Sequence, residues 1–244
     1  MNNCKRSIGW ADYTWNPLTG CLHSCSYCYA RRITTRFAGG TAFPNGFAPT
    51  WHPERLMEPV QHKAPARIFV GSMTDPFGDW VQPEQLDLVL EVIAACPQHA
   101  FYMLTKAPQN IMRKLYEVTE AWPCRELGGG DVLPNLWLGA SVDTQKRALS
   151  SLSSMAQVTL AGWRTFVSIE PMLSEVDPVD VSWSDWMIIG AMTGPGSPKH
   201  APRREWVETF IAHGNTYHVP VFLKSSITKL WPDLDRREWP EEMR

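Results

Sequence analysis

Short runs of apolar and β-branched residues recur along the chain, at 67–71, 100–104, 136–140, 165–169, 186–190 and 219–223, with a weaker one at 11–15. Each ends in small or polar residues and gives way to a stretch whose apolar positions return at helical spacing, which predicts helices at 25–37, 83–95, 108–117, 144–155 and 203–212. Pro83 stands in the first turn of the second of these, where its missing N–H costs nothing. Continuously apolar strands are buried on both faces, and strands separated by helical crossovers pair in parallel, so the pattern predicts an α/β protein with a helix-covered parallel sheet. Strand order is not readable from the pattern, and both an open sheet and a full or partial barrel fit it.

Either architecture places ligands at the C-terminal ends of the strands. The residues leaving those ends are Ser72-Met73-Thr74-Asp75, Thr105-Lys106, Ser141-Val142-Asp143, Glu170-Pro171, Met192-Thr193-Gly194 and Lys224-Ser225-Ser226. Glu170 leaves an apolar strand, and a carboxylate there needs a partner or a ligand because isolated burial of its charge is costly. Lys106 and Lys224 are read either as ion-pair partners for such carboxylates or as contacts to an anionic substrate; with Glu170 they are the candidate catalytic residues.

A chain of 244 residues with 44% hydrophobic residues is too apolar for disorder, and it lacks the periods of collagen or a coiled coil. No apolar run approaches the roughly 20 residues of a membrane span, and the first residues do not read as a secretory signal, so a soluble cytoplasmic protein without a membrane partner is expected. One domain spanning 1–244 is the simplest organisation, with about 1–10 and 226–244 as terminal extensions. A formal net charge of -2 argues against nucleic-acid binding by bulk electrostatics. Local basic clusters stand at Arg31-Arg32-Arg36, Lys199-His200-Arg203-Arg204 and Arg236-Arg237. Solvated helix faces account for the first and last, whereas the middle one follows a Gly/Pro-rich loop at the expected mouth and is the candidate phosphate contact.

Three of the six cysteines fall within eight residues as Cys21-x3-Cys25-x2-Cys28, at the opening of the first predicted helix. Cys4, Cys96 and Cys124 are scattered and receive no role. Structural zinc requires four ligands, usually in two separated pairs, and here a fourth ligand would have to be His23, folded back between its neighbours. A 4Fe-4S cluster held by three cysteines instead leaves one iron open to a small molecule, an arrangement suited to catalysis rather than electron transfer.

That spacing, with aromatic Tyr27 immediately before the last cysteine, resembles the radical S-adenosylmethionine (radical SAM) superfamily. Further stretches, among them Trp15-Asn16-Pro17, Gly20-Cys21, 69–75, 104–106, 136–142, 168–171 and 188–190, resemble the phage Gp37/Gp68-like (DUF5131-type) group, which is distantly similar to spore photoproduct lyase. The resemblance implies a partial (β/α)6 TIM-like barrel. It implies a 4Fe-4S cluster on Cys21, Cys25 and Cys28 and S-adenosylmethionine as cofactor, with Tyr27 against adenine. Ser72, Met73, Thr74 and Asp75 take the place of a Gly-Gly-Glu-like segment that binds the methionine amino group, and this chain departs from that pattern. Ser141, Asp143 and Glu170 complete the expected cofactor contacts. The implied reaction rearranges a substituent on a modified pyrimidine of phage DNA, with DNA or a modified nucleotide as partner and a flavodoxin or ferredoxin as electron donor. The alternatives are a radical enzyme acting on a peptide or small metabolite, and a non-catalytic zinc-binding module.

Overall fold

The apolar runs become the strands of one eight-stranded sheet. The structure is a computed structural model that describes residues 1–118, 132–194 and 196–241; Cys124 lies outside them. A short edge strand β1 (Asn2–Asn3) pairs antiparallel with β2 (Tyr13–Trp15). A separate two-stranded sheet joins β3 (Leu18–Thr19) to β4 (Thr50–Trp51). Beyond β2 come β5 (Arg67–Val70), β6 (Ala100–Thr105), β7 (Leu136–Ser141), β8 (Arg164–Ile169), β9 (Met187–Ile189) and β10 (Val221–Leu223), parallel and in chain order. Consecutive parallel neighbours joined by helical crossovers curl the sheet into a partial barrel.

Side chains alternate across this sheet with the period of two that any strand imposes. One set, including Ile68, Val70, Phe101, Met103, Leu136, Leu138, Val167 and Ile169, belongs to the large core under the helices. The other set is three-layered. At the bottom, Phe69, Tyr102, Trp137, Phe166, Trp186 and Phe222 pack with Trp10 into an aromatic floor. Further up the same faces come the small residues Gly139 and Ser168, while Ile188 above Trp186 packs with the floor, and towards the strand ends stand Ser141, Lys106, Glu170 and Lys224. A Cβ on Gly139 would stand 2.5 Å from the Phe166 ring, so glycine is required for the floor to close.

The helices are α1 (Tyr29–Arg36), α2 (Glu58–Gln61), α3 (Pro83–Ala94), α4 (Ile111–Val118), α5 (Gln145–Leu160), α6 (Arg204–Tyr217) and α7 (Ser225–Thr228). The helix expected at 25–37 starts four residues later, because 25–28 is taken up by the cysteine loop and Cys28 becomes the N-cap, its sulfur accepting from the Arg31 N–H at 3.3 Å. Cys4 and Cys96 are buried. No described helix is long and apolar enough to cross a membrane.

Candidate active site

The loop that carries Cys21, Cys25 and Cys28 leaves β3 at the C-terminal mouth of the barrel and is tied there by side chains. The Thr74 hydroxyl donates to the Gly20 carbonyl at 2.6 Å, and a Cβ on Gly20, whose φ is +84°, would fall 2.2 Å from the Ala48 carbonyl oxygen. His23 Nε2 reaches Asp75 Oδ2 at 2.8 Å, and the Tyr29 hydroxyl donates to the Ser72 carbonyl at 2.5 Å. All three cysteines are half-buried and none is in a disulfide.

The donor set suits a multinuclear cluster better than a single ion. Burial pushes the Cys21 thiol up to about 12, and the charges of Asp75, Cys25 and Cys28 push the same way, so the three sulfurs share one electrostatic neighbourhood that a cationic core would relieve. Yet among the described residues no three His, Cys, Asp or Glu side chains are grouped closely enough to hold one metal ion. His23, the fourth ligand of the zinc alternative, is engaged by Asp75.

Asp75 is a junction. Its Oδ2 also accepts the Lys106 N–H at 2.8 Å and its Oδ1 the Phe77 N–H at 3.0 Å, so one buried carboxylate joins the ends of β5 and β6 to the cysteine loop. Nearby Ser72 donates through its hydroxyl to Asn16 Oδ1 at 3.1 Å, and the Met73 N–H donates to the same oxygen at 3.0 Å.

Four of the expected site residues converge in a second cluster. Lys106 Nζ donates to the Tyr27 hydroxyl at 3.1 Å and to Ser141 Oγ at 2.8 Å, and the Tyr27 hydroxyl donates to Asp143 Oδ2. Arg147, in the first turn of α5, donates to Asp143 Oδ1 at 2.8 Å. Burial raises the Asp143 carboxyl, but the bonds from Arg147 and Tyr27 and the charge of Lys106 outweigh it and hold Asp143 below the usual carboxylate range. Burial pulls the Lys106 ammonium below its ordinary value, against the opposing charges of Cys25, Asp143 and Asp75. The Tyr27 phenol is held protonated by burial and by its bond to Asp143. The cluster is therefore an ordered chain of donors and acceptors beside Cys25.

Glu170 and Lys224 form a separate pair, Lys224 Nζ lying 2.6 Å from Oε1 and 2.7 Å from Oε2. The Glu170 side chain lies over Gly190, whose missing Cβ would come within 3.0 Å of it. This joins β8 to β10 across β9. Neither the role of Arg147 nor that of Asn16 was expected from the sequence. Arg147 had a signal, four residues after Asp143 on a helix; the contact of Asn16 with 72–73 had none.

A family model described as a protein of unknown function, DUF5131, matches residues 5–231. The chain belongs to that family. No curated protein matches this DUF5131 chain. Among solved structures, it superimposes on a point mutant of spore photoproduct lyase with a TM-score of 0.59 at 11% identity, over 87% of this chain and 76% of that one. A double mutant of the lyase with bound AdoMet and dinucleoside spore photoproduct gives a TM-score of 0.52 at 13% identity, over 99% and 66%. Streptococcus suis SuiB bound to precursor peptide SuiA gives 0.58 at 12% identity, over 91% of this chain and 51% of that one. At such identities the likeness is one of fold, and the DUF5131 chain has the partial barrel of the radical SAM type that its sequence pattern resembles.

Proposed function

We propose that this DUF5131 chain is a radical SAM enzyme whose cluster is held by Cys21, Cys25 and Cys28. The single observation that carries the reading is the place of this three-cysteine loop, at the C-terminal mouth of a partial barrel, beside an ordered polar cluster and above a dry aromatic floor. A 4Fe-4S cluster held by Cys21, Cys25 and Cys28 would supply one-electron reduction of a bound S-adenosylmethionine and so radical chemistry at this mouth.

The remaining work belongs to the protein. The floor of Phe69, Tyr102, Trp137, Phe166, Trp186 and Phe222 excludes water from below, as a reactive intermediate requires. Tyr27, Ser141 and Asp143 present a hydroxyl, a second hydroxyl and a carboxylate to the cofactor, with Lys106 and Arg147 holding them in place. Ser72 and Thr74 lie on the cysteine-loop side, where Asp75 fixes the strand ends. Glu170 and Lys224 are poised as a charged pair on the opposite side of the mouth.

The substrate reading is a modified pyrimidine of DNA, the phage hypermodified thymine in particular, rearranged through a substrate radical. It is supported by the sequence resemblance and by the shared fold of spore photoproduct lyase. The test is anaerobic reconstitution with iron and sulfide, then reduction in the presence of S-adenosylmethionine. Expected are about four irons and four sulfides per chain and release of 5′-deoxyadenosine, both lost in Cys25→Ala. Zinc without sulfide, or no 5′-deoxyadenosine from loaded protein, overturns the reading. Modified-thymine DNA left unchanged by nucleoside mass spectrometry overturns the substrate half alone.

A further inference from the structure

Several surface cations are paired: Arg55 with Glu54, Arg67 with Asp12, Arg113 with Glu117, Arg204 with Asp233, Arg236 with Glu238 and Arg237 with Asp235. Among the described residues Arg6, Lys63, Lys146 and Lys229 are exposed without a carboxylate partner, and so are Arg31, Arg32, Arg36, Lys199 and Arg203, which unlike the former are grouped in acid-free sequence. These last five come from two stretches free of acidic residues, between Asp12 and Glu54 and between Asp185 and Glu205.

These stretches are some 160 positions apart in the chain, yet they meet. The Arg32 guanidinium lies against Gly194, where a Cβ would stand 2.5 Å from its Nη1. Gly194 follows β9, near one edge of the sheet, while α1 follows the strands at the other edge. The contact thus crosses the open side of the partial barrel and merges two basic clusters into one rim beside the cysteine loop. Aromatic groups are interleaved with the charges: Arg31 lies 4.6 Å from the centre of the Phe47 ring and Arg36 5.5 Å from that of Phe37, and Phe37 is 54% exposed.

From this segregation in a molecule of formal net charge -2, we infer that the rim formed by Arg31, Arg32, Arg36, Lys199 and Arg203 binds the phosphate backbone of single-stranded nucleic acid, with Phe37 as a stacking surface. Unpaired guanidiniums recognise phosphate bidentately, and rings between them accept bases, whereas an acidic peptide would use the charges alone. A single strand fits because a base must leave its stack to enter the mouth. The substrate class is then a polymer rather than a free nucleotide. This rests on the radical reading only for what happens to the base once it is bound.

The test is fluorescence anisotropy of the reconstituted protein with a labelled thymine-rich 16-mer, across a range of sodium chloride. Log affinity for a single strand falls by about 0.7 per log salt for each phosphate contact. The variant Arg32→Ala/Arg36→Ala/Lys199→Ala/Arg203→Ala should therefore bind at least about tenfold more weakly at low salt and lose about 3 from the slope. Lys199→Ala/Arg203→Ala, confined to a short 3-10 turn and a helix N-cap, should lose about half of that slope if the larger variant does not fold. Arg113→Ala/Arg237→Ala removes two paired cations elsewhere and should change neither quantity. Equal binding by wild type and both rim variants, or poly-glutamate of matched charge competing as well as the oligonucleotide, overturns the inference. Rim-dependent binding without 5′-deoxyadenosine formation would leave it standing and sink the radical reading instead.

Discussion

Asp12 shows how one carboxylate can hold the closed end of the barrel. Its Oδ2 accepts the Arg67 N–H at 2.9 Å and Nε at 3.2 Å, and its Oδ1 accepts Nη2 at 3.1 Å. Burial alone would raise its pKa, but the Arg67 bonds win and hold it below the ordinary value. A depressed folded-state value means that the pair's contribution is complete above the unfolded-state pKa of about 3.9, and is lost as pH falls through the lower folded value. Asp12→Asn should therefore cost about 1–3 kcal/mol in urea denaturation at pH 7, and its deficit against wild type should shrink between pH 5 and pH 2.5. A deficit that stays constant over that range would contradict the assignment. Single residues differed in how readable they were. The Asp143–Arg147 pair lies one helical turn apart and is written in local spacing. His23 and Asp75 are 52 positions apart, and nothing in either neighbourhood announces their contact.

Among the elements, α6 offers the sharpest test because its sign runs against propensity. Alanine normally improves a helix interior by about 1 kcal/mol over glycine. Gly214 in α6, however, faces β10, where a Cβ would stand 2.5 Å from Val221 Cγ2 and 2.7 Å from the Val219 carbonyl oxygen. Gly214→Ala should thus destabilise the protein by about 1–3 kcal/mol, read as a lower urea midpoint with unchanged slope. A raised midpoint would mean that α6 does not approach the sheet so closely. The six main strands were legible because fully buried parallel strands are continuously apolar, and each expected run overlaps an observed strand to within two residues at either end. The start of α1 was not: a cysteine is a weak cap signal, and the cysteine-bearing loop interrupts the helical period running through it, with Cys28 capping the helix.

For the molecule as a whole, the floor decides what the barrel can enclose. Trp10, from the N-terminal segment, has its ring centroid 4.9 Å from Phe69, 5.6 Å from Tyr102 and 6.0 Å from Trp186, and the Trp239 indole N–H near the other terminus donates to the Trp10 carbonyl at 3.3 Å. Trp10→Ala removes the centre of that packing and should cost about 3–5 kcal/mol by thermal or urea unfolding. A loss below about 1 kcal/mol would show that the floor closes without it. The fold class was readable from the chain because it depends on spacing within a few residues, the helical and strand periods, and the interval between thiols on which the proposed cluster rests is equally local. Which polar groups face one another was settled only by folding. Tyr27 meets Asp143 across 116 positions, Lys224 meets Glu170 across 54, and Arg32 meets Gly194 over a longer interval still. Such contacts follow from the order and curvature of the sheet, which bring remote strand ends to one mouth and leave no local trace.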